Sequence, residues 1–163
     1  MLLAPHILIG AAITTAVPNP LLGLLFAFLS HFLLDRIPHW EYSIEPLKEI
    51  KTKGMRYGMP ILRRVMLDGT AGFILVIFAV AIHRGENSFF LALWGGFFGI
   101  LADGLTMLFF LRKNNGLFSR ALKIFYALHQ KIHFDKKTGP PALRIGLATQ
   151  AIASLVALYF LIF

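Results

Sequence analysis

Residues 88–111 read SFFLALWGGFFGILADGLTMLFFL, an apolar run of 24 residues broken by one charge, Asp103. About 20 predominantly apolar residues are enough to cross the hydrocarbon core of a bilayer as a helix. The turn Arg84-Gly85-Glu86-Asn87 precedes the run and Arg112-Lys113 follows it. The reading is a membrane helix over 88–111 that carries one acid inside the lipid.

Four further segments read the same way. Residues 4–16 begin with Pro5, which suits the first turn of a helix because its missing N–H costs nothing there. This helix is short for a full span, so tilt or partial insertion is expected. After the break Pro18-Asn19-Pro20, a helix over 20–37 stops at Pro38. The remaining two run over 60–83 and, behind Pro140-Pro141, over 142–163. Between 112 and 140, Leu117, Ala121, Leu122, Phe125, Leu128 and Ile132 recur at helical spacing, which predicts an amphipathic surface helix over 117–133. The expected fold is therefore all-α and a single domain, residues 1–163. It is a polytopic membrane helical bundle of about five membrane-embedded helices plus one cytoplasmic surface helix.

Composition agrees. Of the 163 residues 57% are hydrophobic and 15% charged, against about a quarter charged in soluble domains. The absence of Cys excludes disulfides and thiolate metal sites, so any metal must take His, Asp or Glu. The net charge of +8 does not point to nucleic acid, because the cations lie between apolar stretches and form no stripe interleaved with aromatics. The opening residues lack a basic n-region and a small-residue cleavage site, so they are expected to stay as the first helix. Fifteen of the sixteen Lys and Arg residues fall in the connections 36–64 and 112–144, and only Arg84 on the opposite side. The positive-inside rule then puts the N-terminus in the cytoplasm and the C-terminus outside.

Ionisable residues inside lipid are functional candidates by default. Here they are His31 and Asp35 in the second helix, Asp68 in the third and Asp103 in the fourth, with His6 opening the first and His39 following the second. Asp68 and Asp103 each lie about eight residues, or roughly 12 Å, from the cytoplasmic end of their helices. Each falls on a stripe of small residues, the faces by which membrane helices approach one another. His31 and Asp35 are i, i+4 and reach one point. His129 and His133 repeat that spacing on the surface helix, which could fold back beneath the bundle. An all-N/O cluster of His6, His31, Asp35, His39, Asp68, Asp103, His129 and His133 suits Zn²⁺ best, with Mn²⁺ or Fe possible, as one or two ions. Asp35, Asp103 or Glu41 could serve as the base. Structural alternatives stand beside these: Asp68 is four residues from Arg64, Asp103 could bond Thr106, and His6 and His39 could be interfacial anchors.

The run Ser30–Trp40, SHFLLDRIPHW, and the opening Pro5–Gly10, PHILIG, resemble a signature of the predicted membrane-bound metal-dependent hydrolases, small integral membrane proteins of bacteria and archaea. Residues 96–103 and His129-x3-His133 are compatible with it. The resemblance implies metal-dependent hydrolysis in the inner membrane of a prokaryote. His31-x3-Asp35 is also similar to a helix motif of zinc-dependent phospholipases C, which favours a phosphoester. No Pro-Ser-Gly-His of the lipid phosphatases is present, and Asp68-Gly69 lacks the Ala-Arg of CDP-alcohol transferases. The expected activity is hydrolysis of a phospholipid or other amphiphilic phosphoester at the cytoplasmic leaflet, with membrane lipids as partners. A metal-binding transporter or a non-catalytic membrane scaffold would use the same polar cluster differently.

Overall fold

A computed structural model describes residues 2–83, 86–112, 116–132 and 143–163. The described residues form nine helices and no strand: α1 (Leu3–Ala16), α2 (Pro20–Leu34), α3 (Glu45–Lys48), α4 (Ile50–Lys53), α5 (Met55–His83), α6 (Glu86–Gly99), α7 (Leu101–Leu111), α8 (Leu117–Ile132) and α9 (Leu143–Ile162).

Two helices are long and apolar enough to cross a membrane, over Met55–Ile82 and Arg144–Ile162. A third crossing results if Ser88–Gly99 and Leu101–Leu111, bent by 50° at Ile100, count as one span. The expectation of about five is therefore corrected to two or three by length. At 1.5 Å per residue, α1 and α2 rise only about 21–22 Å, short of a hydrocarbon core of about 30 Å. The 88–111 run likewise becomes two helices, because glycines such as Gly99 are where helices kink.

Two boundaries also moved. The helix expected over 60–83 begins at Met55, behind Gly54, whose φ of +87° only glycine adopts readily. Pro60 sits within its second turn, where it removes a single hydrogen bond. Regular α2 ends at Leu34. Arg36 N–H and Ile37 N–H then bond the carbonyls of Leu33 and Leu34, tightening the chain ahead of Pro38.

The centre of the bundle is α1, which packs against α2, α5, α6 and α9. Its Ile7, Leu8 and Ala11 are fully buried with Val76 and Ala79 of α5, Ala92 of α6 and Leu161 of α9. The α1–α6 contact is backbone on backbone. A Cβ at Gly99 would run into the His6 carbonyl, and one at Gly95 into Thr14 Oγ1 and the Gly10 carbonyl. Such closeness gains dispersion energy without a hydrophobic drive, as lipid-embedded packing requires. Gly95→Ala should therefore destabilise the protein by about 1–3 kcal/mol through overpacking. Gly104→Ala, which meets no atom within 4 Å, should leave the thermal unfolding midpoint in detergent near wild type.

Candidate metal centre

Asp35 caps the C-terminus of α2 and is 1% exposed. Three imidazoles converge on its carboxylate. His31 Nε2 and His129 Nε2 each lie 3.2 Å from Asp35 Oδ2, and 3.1 Å from one another. His6 Nε2 lies 3.2 Å from Oδ1. Asp103 Oδ1 is 3.7 Å from His31 Nε2. The ligand atoms fall into two groups that share His31, namely His6–His31–Asp35 and His31–Asp103–His129, and within each group they lie inside 4.8 Å of one another.

Those distances suit a divalent cation. Around a tetrahedral ion with bonds of about 2.0–2.1 Å, neighbouring donor atoms stand about 3.3–3.4 Å apart. The triangle of His31 Nε2, His129 Nε2 and Asp35 Oδ2, with edges of 3.1–3.2 Å, comes close to that, and His6 meets the other carboxylate oxygen.

Hydrogen bonding on the far side of the rings supports the same reading. His31 Nδ1 is 2.9 Å from the carbonyl of Gly99. A carbonyl only accepts, so Nδ1 carries a proton, and Nε2 is the nitrogen that faces Asp35 and could bind a cation. Thr106 Oγ1 lies 3.0 Å from His129 Nδ1 and can accept its proton in the same way. Bonds of this kind fix the tautomer and ring orientation of metal-binding histidines. His6 differs, since its buried Nδ1 has no hydrogen-bond partner among the described residues, while its Nε2 faces Asp35. Two lone pairs and a carboxylate oxygen this close repel one another unless positive charge lies among them. An ionised carboxylate in a dry interior costs several kcal/mol if uncompensated.

Local structure explains the convergence. Gly99 ends α6, and the bend at Ile100 leaves its carbonyl facing His31. Beyond the bend, Asp103 and Thr106 are three residues apart on α7 and share a face. On α8, Leu122 and His129 are buried, and the Phe125 and His129 rings pack against Phe32 of α2 at centroid distances of 6.4 and 5.7 Å. The cluster is sealed except at Asp103, whose side chain is 31% exposed.

No protein-family model, curated protein or solved structure matches this chain.

Among the residues expected at the site, His6, His31, Asp35, Asp103 and His129 are brought together, and three others are placed elsewhere. Asp68 belongs to neither group. Its carboxylate accepts from Leu3 N–H at 2.5 Å and Ala4 N–H at 3.3 Å, and Tyr42 O–H donates to it at 3.4 Å. Helices leave their first N–H groups without intrahelical partners, and Asp68 supplies the acceptors from across the bundle. Pro5 has no N–H to satisfy, and Leu2 N–H bonds Gln150 Oε1 at 3.0 Å. Gln150 Nε2 in turn donates to the carbonyls of Trp40 and Gly146. Depth and a stripe of small residues made Asp68 resemble a ligand. Its facing toward the end of α1 makes it a cap, and that cap fixes the helix that carries His6.

His39 bonds the Ile37 carbonyl through Nδ1 at 2.7 Å, and its Nε2 lies 3.7 Å from Glu41, so both residues sit in the loop after α2 and outside the two groups. His133 lies outside the described residues. Sequence reasoning did not find the Gly99 carbonyl or the Gln150 clamp, and backbone acceptors leave no mark in a sequence. Thr106, three residues after Asp103 on the same stripe, was the one available signal. Burial pushes the Tyr42 phenol well above its usual pKa, with the carboxylates of Asp68 and Asp103 adding to the shift, so it remains a donor.

Asp68→Ala should lower stability by about 1–3 kcal/mol, because it strands buried N–H groups. It should leave a full complement of metal in the folded fraction. Unfolding midpoints and metal content, measured on the same preparation, check both halves.

Proposed function

We propose that this protein is a membrane-bound metal-dependent hydrolase that acts at the cytoplasmic leaflet on a phospholipid or another amphiphilic phosphoester. The observation that carries the reading is the burial of three imidazoles, His6, His31 and His129, around the carboxylate of Asp35, each with Nε2 at 3.2 Å from one of its oxygens. In this reading α5, the α6–α7 pair and α9 cross the membrane, and α1–α2 enters as a shorter hairpin. All five segments are then embedded in the bilayer of a prokaryotic inner membrane. The N-terminus lies in the cytoplasm, as the Lys and Arg distribution favours.

His6, His31, Asp35 and His129 would hold the ion, and the water it activates would have to enter as a fifth ligand. Zn²⁺ is favoured by three imidazoles and one carboxylate, and Mn²⁺ or Fe would accept the same donors less selectively. Since Nδ1 of His31 is committed to Gly99, His31 has one nitrogen to give. The two groups therefore describe one centre, and a second ion would need a carboxylate bridge from Asp35 or Asp103. A divalent cation supplies Lewis acidity there, activating water and polarising the ester that faces it.

The chain's own residues do the rest. Asp103, the exposed acid, accepts the proton of the attacking water and is the proposed general base. The sealed side of the pocket excludes bulk water, which strengthens every charge interaction inside. Basic residues of the two cytoplasmic connections draw anionic headgroups to the surface.

Purified protein should contain stoichiometric metal, and Asp35→Ala should lose it. Asp103→Asn should keep the metal while lowering kcat on a phosphodiester substrate by roughly 10²–10⁴-fold, the usual contribution of a general base. Metal-free protein that hydrolyses the substrate at the full rate would end this reading.

A further inference from the structure

Helix α8 presents two apolar stripes, and the site uses only one. Leu122, Phe125 and His129 face the bundle, with His129 reaching the metal centre. Leu117, Ala121, Ile124 and Leu128 form the second stripe, about 100° around the helix. Leu117, Ile124 and Leu128 are 84, 64 and 54% exposed. Arg120 and Lys131 border this outer stripe, and the helix has no acidic residue.

We propose that the outer stripe of α8 seats in an anionic lipid leaflet, and that this seating holds His129 in the metal centre. Ion binding is thereby made dependent on an anionic membrane surface. The inference rests on the metal centre described above and adds its regulation. Charge decides the occupant. Apolar residues flanked by cations, with no acid present, complement anionic headgroups. A second copy of this chain packed about a two-fold axis would set the same cations against themselves. The arrangement is also mechanically direct, because Ile124 and Phe125, or Leu128 and His129, are neighbours along the chain. A helix pressed onto the leaflet by one stripe cannot rotate its other stripe out of the pocket. Each basic side chain near an anionic surface is worth about fivefold in binding, so two supply on the order of twentyfold toward the seated state.

The test uses the full-length protein in nanodiscs, with Co²⁺ as the probe. Co²⁺ affinity is followed by its visible absorption in pure phosphatidylcholine and in a mixture with phosphatidylglycerol. Binding should be tighter by about tenfold or more in the anionic discs. Arg120→Glu combined with Lys131→Glu should abolish that gain, and His129→Ala should bring both lipids to one weakened affinity, so that its loss is larger in the anionic discs. The chain has no Cys, so Ile124→Cys gives a single site for a nitroxide, which should lie at an oxygen-rich, lipid-immersed depth. Equal Co²⁺ affinity in the two lipids overturns the inference and leaves the metal centre standing. Close spin pairs between protomers overturn it too, since a second copy would then cover the stripe. Failure of wild-type protein to bind Co²⁺ in either lipid would instead remove the metal reading itself.

Discussion

A carboxylate enclosed by imidazoles, away from water, is the constraint around which this fold is arranged. Asp35 cannot remain ionised in such a place without positive charge beside it. The Nε2 nitrogens of His6, His31 and His129 lie 3.2 Å from its oxygens. Where a ring's other nitrogen is hydrogen-bonded, as in His31 and His129, it faces an acceptor outside the cluster. The site could hold a cation, and a cation held there would bind α1, α2 and α8 to one another. Metal binding and folding are then expected to be coupled.

The scaffold reflects that demand. Helix α1 is too short to cross a membrane, yet it is the element that the others surround. Its opening N–H groups are satisfied by Asp68 and Gln150 from α5 and α9, and glycines of α6 let the two backbones touch. These contacts set the height and rotation of His6. The bend after Gly99 does two things at once: it exposes a carbonyl that orients His31, and it turns Asp103 and Thr106 toward the same point.

Much of this was legible in the sequence, where local periodicity carried the information. His31 and Asp35 share a helix face by spacing alone, and His6 and Asp103 fell on small-residue stripes. The helical segments were visible from hydropathy and from Pro and Gly punctuation. What escaped was tertiary. Asp68 has the same depth as Asp103, and only the packing of α5 against α1 turns it into a cap. His39 and Glu41 lie a few residues from Asp35, but the turn before Pro38 carries them aside. The count of spans failed for a similar reason. Apolar content marks a segment as lipid-compatible, while crossing depends on length, and Pro18 and Pro38 leave α1 and α2 too short. The bend at Ile100 splits what reads as one uninterrupted apolar run.

X-ray absorption at the zinc edge, on Zn²⁺-loaded protein in anionic nanodiscs, tests the central claim most directly. The account expects a shell of nitrogen and oxygen only, at about 2.0–2.1 Å, with the multiple-scattering signature of three imidazoles from His6, His31 and His129. A shell of oxygens without imidazole scattering, or zinc that washes away from the wild-type protein, would contradict it.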